Sequence, residues 1–212
     1  MKTDNLINAL AADAKHPPAS LALVWYALGG GALVLAAIAF FAMLGARGDI
    51  ASALESWRFL LKFVVTIAIA LSAFALARAL SRPDEGWRAI APYLLVAPAL
   101  LFVGIAVEFV SVPAGAWLTR AVGRNSLVCL TFIPLIGIGP LAVLLLAVRH
   151  GAPTRPALAG AATGLLAGAI AATFYAAHCA DDSPLFVSIW YSLAIAGLAL
   201  LGAFAGKMLA RW

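Results

Sequence analysis

An all-α fold, a polytopic membrane protein built as a bundle of six transmembrane helices, is what this sequence predicts. Of its 212 residues 65% are hydrophobic and only 11% charged, where soluble domains run nearer a quarter charged. Mean hydropathy is +1.04. The apolar residues fall into six runs, each meeting the roughly 20-residue length that crosses a bilayer as a helix. These runs are continuously apolar and rich in Ala and Leu rather than alternating, which argues against a closed barrel. Two regions follow: a polar arm over 1–20 and a transmembrane domain over 21–209. So little sequence lies outside the runs that an extramembrane catalytic domain, a nucleotide-binding fold and a nucleic-acid-binding module are excluded.

The predicted spans are Leu21–Leu44, Phe59–Leu80, Ile90–Val110, Val128–Val148, Pro156–His178 and Leu185–Leu209. The first is too long for the core of a cleavable signal and is read as a retained span. Pro17 and Pro18 stop any helix in the arm before it begins, because proline lacks the amide donor a helix interior needs. The fourth span contains Pro134 and Pro140, expected to kink or locally break it. The fifth carries Gly160, Gly164 and Gly168 at four-residue spacing, a groove into which a neighbouring helix can pack closely. Ser183 before Pro184 has the form of an N-cap and first helical residue for the sixth. Six tryptophans, Trp25, Trp57, Trp87, Trp117, Trp190 and Trp212, fall mostly near span ends, where amphipathic rings anchor at the headgroup level.

Charge sets the orientation. Nine of the fourteen Lys and Arg lie on the side of both termini and the second and fourth loops; five lie on the other side, among them Arg47, Arg58, Lys62 and Arg120. The positive-inside rule therefore places both termini in the cytoplasm. Acids divide four inside and five outside, so the whole net charge of +5 is cytoplasmic, with anionic lipid headgroups as its plain partner.

The arm reads as a short helix. Asp4 would sit in its positive first turn, with Leu6, Ile7 and Leu10 sharing one face. A helix of about a dozen residues is marginal alone in water, so its apolar side needs a cover: lipid, the chain's own loops, or a partner protein. Lys2 and Lys15 are balanced by Asp4 and Asp13, which weakens the lipid option because surface-seeking helices are usually cationic.

The two cysteines, Cys129 and Cys179, are fifty positions apart with no Cys-x-x-Cys. The span arrangement puts one at the start of the fourth helix and the other at the end of the fifth, both on the non-cytoplasmic face. In a bacterium that face is oxidising, so thiols there can pair or meet oxidants and metals. His178, Asp181, Asp182 and Glu108 lie at the same end and are candidate auxiliary ligands in a set suited to soft metals. No obligatory cofactor is expected, only transient heavy-metal ligation. Against this stand plainer readings: Asp181 and Asp182 complement the start of the last helix, and a buried cysteine is often a small hydrophobe.

Four blocks together resemble a known family: Met-Lys-Thr-Asp-x-Leu-Ile-x-x-Leu-Ala-x-Asp at the start, Cys129-Leu-Thr-Phe-Ile-Pro-Leu, the Arg149-His-Gly-Ala-Pro-Thr-Arg-Pro-Ala loop, and His178-Cys-x-Asp-Asp-Ser-Pro-Leu-Phe-x-x-x-Trp-Tyr. The chain is similar over nearly its whole length to the six-span bacterial proteins typified by the negative regulator of sigma F. The resemblance implies a non-enzymatic anti-sigma factor of the inner membrane. It would hold an extracytoplasmic-function sigma factor and release it under heavy-metal or oxidant stress through a cysteine pair, here Cys129 and Cys179. Asp4, Leu6, Ile7 and Leu10 then become the expected sigma-factor contacts. The sequence leaves open whether copies associate through Gly160, Gly164 and Gly168. Two other classes would also place cysteines or polar breaks in a membrane. A thiol oxidoreductase would normally show a Cys-x-x-Cys or a relay pair, and a metal or small-solute transporter would want ionisable residues at mid-membrane; neither pattern is present.

Overall fold

The structure, a computed structural model, describes Thr3 and residues 20–84 and 86–209. The arm residues Asp4, Leu6, Ile7 and Leu10 lie outside the described residues. Six long helices form the body, each long and apolar enough to cross a membrane. They are α1 (Leu21–Met43), α2 (Trp57–Leu80), α3 (Trp87–Ser111), α4 (Ser126–His150), α5 (Pro156–Ala176) and α6 (Pro184–Leu209). Eight of the twelve expected boundaries move by one to three residues, at least one in every span. The fifth matters most: α5 ends at Ala176, so His178 and Cys179 stand in the turn beyond the helix rather than within the span.

Local chemistry explains the ends. Ser20 caps α1, its Oγ accepting from the Leu23 amide at 3.3 Å. Gly45, at φ +70°, turns the chain out of α1 while its amide still reaches the Phe40 carbonyl, a left-handed exit open to glycine at no steric cost. The Ser183–Pro184 start of α6 is as expected, with Ser183 Oγ accepting from the Leu185 amide. Within α3, residues Ala91–Leu95 tighten to 3-10 geometry around Pro92, and Val187–Tyr191 in α6 widen to a π turn. Helix α4 runs unbroken through Pro134 and Pro140. The expected local break is absent: Ile133, Ile136, Pro140 and Leu141 are buried against neighbours, whose packing supports the helix past each missing amide.

The architecture is centred on α5, which packs against α6 most extensively and also against α2, α4 and α1. About two-thirds of α5 is buried, against 11% of α3, which touches mainly α2 and the start of α6. The outward faces carry Leu33, Ile38, Phe41, Leu71, Phe102, Leu200 and Phe204. An apolar exterior around an apolar core is the inverse of a water-soluble bundle. Trp25 departs from the interfacial role expected of it: it is fully buried and meets Phe74 edge-on at 5.8 Å.

The glycine stripe of α5 is a seam with α6. A methyl group on Gly160 would strike the Gly202 carbonyl, one on Gly164 the Leu198 carbonyl, and one on Gly168 would sit 3.1 Å from the Ile195 Cα. Gly202 and Gly206 answer from α6, each pressed onto the α5 backbone at Gly160 or Gly164. This face is therefore occupied within one chain and is not open to a second copy.

Candidate functional site: the cysteine end

Loops joining α1 to α2, α3 to α4 and α5 to α6 meet at one end of the bundle, opposite the loops at Ser81 and Gly151. The Arg47 amide donates to the Ala177 carbonyl at 3.0 Å, tying the first loop to the third. His178 Nδ1 donates to the Gly45 carbonyl, also at 3.0 Å. Asp181 ties the second to the third: its Oδ2 accepts from the Arg124 and Asn125 amides and from Asn125 Nδ2 at 2.8–3.0 Å. These donors stand at the start of α4, where orphan amides and the helix dipole favour an anion. Asp181 thus serves α4 rather than the last helix.

The Cys179 turn is gripped by cations. Lys62, 1% exposed on α2, places Nζ 2.9 Å from the Cys179 carbonyl and 2.5 Å from Asp182 Oδ1. Arg47 reaches Asp182 at 3.1 Å and clasps Asp49 through two contacts of 2.6 Å. Both cations lie over the Phe59 ring, Lys62 at 5.0 Å and Arg47 at 5.7 Å, an arrangement that favours a partly desolvated cation. The Arg47 hydrogen bonds hold the Asp49 carboxyl below the usual carboxylate range. Asp49, with help from Asp182, in turn raises the Arg47 guanidinium.

A second ionic knot lies beside the first. Glu108, fully buried at the end of α3, accepts from Arg58 Nε at 2.6 Å, Arg120 Nη1 at 2.8 Å and Ser183 Oγ at 3.1 Å. Arg120 comes from the short helix Trp117–Val122 in the loop joining α3 to α4, an element the sequence reading passed over. Gly123 closes that helix at φ +62°, where a side chain would run into Phe186 and Asp181.

Beneath these charges sit the two thiols. Cys129 is fully buried in the first turns of α4, Cys179 is 1% exposed, and both are free. They are close enough to interact electrostatically with each other and with Lys62. Burial pushes the Cys179 thiol up, outweighing the neighbouring Lys62 charge that pulls it down, so it is neutral near pH 7. Tyr175 and Tyr191, buried and 5.8 Å apart between ring centroids, bring hydroxyls beside Cys179.

The structure buries both cysteines in one core within electrostatic reach of each other, and it commits the auxiliary ligands elsewhere. Glu108 is committed to two arginines and a serine, Asp182 to Lys62 and Arg47, Asp181 to the start of α4, and His178 to a loop carbonyl. Among the described residues no group of three His, Cys, Asp or Glu is arranged to hold a metal. The physical reason is that cations and orphan amides surround each acid. Sequence reasoning missed the roles of Lys62 and the tyrosine pair, although Lys62, a cation in an apolar run whose other cation, Arg78, stands at the far end, was a legible signal.

Comparison with known proteins places the chain in a lineage. Residues 10–212 match the family described as "Negative regulator of sigma F". The chain is 38% identical to the protein named Anti-sigma-F factor NrsF of Caulobacter vibrioides (strain NA1000 / CB15N), and 35% identical to the Probable anti-sigma-F factor NrsF of Azospira oryzae. Both alignments cover 100% of this chain and 100% of the relative. No solved structure matches significantly. A family match over nearly the whole chain, with full-length relatives well above 30% identity, establishes that this chain belongs to the negative regulator of sigma F family, whose role is regulatory rather than catalytic.

Proposed function

We propose that this protein is an anti-sigma factor of the bacterial inner membrane that holds an extracytoplasmic-function sigma factor at its cytoplasmic face. It releases the factor when Cys129 and Cys179, facing the periplasm, meet a heavy metal or an oxidant. One observation carries the reading: two cysteines fifty positions apart are gathered into a single buried cluster, at the end of the bundle opposite the one from which α1 starts. The excess of basic residues on the terminal side supports cytoplasmic termini and therefore a periplasmic cluster. Asp4, Leu6, Ile7 and Leu10 are the proposed sigma contacts, with the apolar face of the arm covered by the partner.

A tenfold change in sigma occupancy needs a difference of only about 1.4 kcal/mol between two states of the bundle. Co-purification of the sigma factor tests this. Wild-type protein is expected to lose its partner on exposure to cadmium or dichromate, and the Cys129→Ser/Cys179→Ser protein is expected to retain it. Release that persists in the double variant overturns the sensor. Deletion of residues 1–15 should abolish capture altogether, and retained capture would remove the arm from the binding surface.

A further inference from the structure

The end of the bundle opposite the cysteines carries a second built corner. The Ala152 amide donates to the Ser81 carbonyl at 3.0 Å, pinning the α4–α5 loop to the α2–α3 loop. Across that joint the exposed Arg155 places Cζ 5.2 Å from the centroid of the Trp87 ring, and Arg88 approaches the same ring at 5.8 Å. Trp87 also lines the loop end of an apolar groove of about 250 Å³, walled by Leu80 of α2, Leu94 of α3, and Leu158 and Leu165 of α5. The groove is open to the outside at Leu158, which is 44% exposed. From Leu158 to Leu165 it runs about 10 Å along α5, about two-thirds of one hydrocarbon leaflet. Helix α5 starts at this corner with no side-chain cap and no acid in its first turn, so its positive end adds to the arginines.

We propose that this corner binds one anionic phospholipid, of the cytoplasmic leaflet in the proposed orientation, with its phosphate between Arg88 and Arg155 and an acyl chain in the groove. Two guanidiniums gathered on one ring repel each other, and an anion between them turns that interaction attractive. Arginine also presents planar, paired donors that match phosphate oxygens. The groove supplies the other half of the match, because its leucines remove hydrocarbon from less closely packed surroundings at the depth where an acyl chain begins. An amphiphile with an anionic head and an apolar tail uses both halves. An acidic peptide would use the arginines and leave the groove unfilled. The bound lipid touches α2, α3 and α5 together and so braces α3, which is only 11% buried within the bundle.

This inference rests on the reading that the six helices span a membrane, and the test separates the two ideas. Release of the protein from membranes by alkaline carbonate overturns the membrane reading and the inference with it. Full-length protein in detergent is titrated with palmitoyl-oleoyl phosphatidylglycerol, or with phosphatidylcholine of the same chains, and bound lipid is counted by native mass spectrometry. Wild type should take up one phosphatidylglycerol ahead of phosphatidylcholine, and equal uptake of the two overturns the inference alone. Arg88→Gln/Arg155→Gln should weaken that first phosphatidylglycerol about 30-fold, about fivefold for each arginine. Arg82→Gln/Arg149→Gln removes the same charge from exposed positions at the same end and should leave it unchanged. Equal weakening by the two pairs marks a diffuse surface attraction and overturns the site. Leu158→Trp fills the groove while keeping both arginines and should also displace the lipid; full binding in that variant overturns the groove as the seat of the chain. If Arg88→Gln/Arg155→Gln binds lipid like wild type but loses the sigma factor on co-purification, the corner belongs to a protein partner and the inference fails.

Discussion

The α5–α6 seam and the cysteine end are held together by opposite means. In the seam, Gly160 and Gly164 meet Gly202 and Gly206 backbone against backbone, with no charge involved. At the cysteine end, Lys62, Arg47, Asp182 and Glu108 bind three loops through ion pairs of 2.5–3.1 Å. Steric contact has a single arrangement and no slack, since packed interiors tolerate little added volume. Ion pairs can be exchanged for others, or for water, when a loop moves. The bundle is thus fixed along its central helices and adjustable where the thiols sit.

Adding volume to the seam is the severest way to break this contrast. Gly160→Leu has no flexible side chain to push aside, only the Gly202 carbonyl and the Gly206 Cα. Its cost is expected above about 4 kcal/mol, read as loss of monodisperse protein or a collapsed melting transition. Asp182→Asn comes next, because it removes a carboxylate from the buried Lys62 ammonium. About 3 kcal/mol is expected for an uncompensated buried charge, with faster alkylation of Cys179 as its turn loosens. An unchanged alkylation rate would show that the turn is held by its backbone bonds alone. Glu108→Gln should cost less, about 1–2 kcal/mol, since Arg58 and Arg120 are 26% and 41% exposed and can turn to solvent. Asp49→Asn should leave thermal stability unchanged, because its exposed pair with Arg47 is open to water and salt.

Six spans were legible in the sequence because length and hydropathy are local properties, and so was the Ser183–Pro184 cap. The glycine stripe was legible on α5. Its partner stripe at Gly202 and Gly206 has the same spacing but was not matched to it, because periodicity names a face without naming what covers it. At the site, the cysteines could be brought to one depth by counting spans. The roles of Glu108, Asp181 and Asp182 could not, since each is decided by a cation or amide 50 to 135 positions away. Lys62 and Arg47 were counted only as topology charges, and Tyr175 and Tyr191 passed as ordinary core aromatics. Their meaning lies in their partners.

The opposite end of α2 gives the Lys62 contacts with the Cys179 turn a wider consequence. Lys62 holds the Cys179 turn, and nineteen residues later the Ser81 carbonyl accepts the Ala152 amide at 3.0 Å, with Gly151 pressed so closely on Ser81 that no side chain would fit. At 1.5 Å per residue these two grips are about 28 Å apart on one uninterrupted helix. Helix α2 is therefore fastened at both ends. A pivot of about 5° at the Cys179 turn would displace the Ser81–Ala152 joint by about 2 Å over that length.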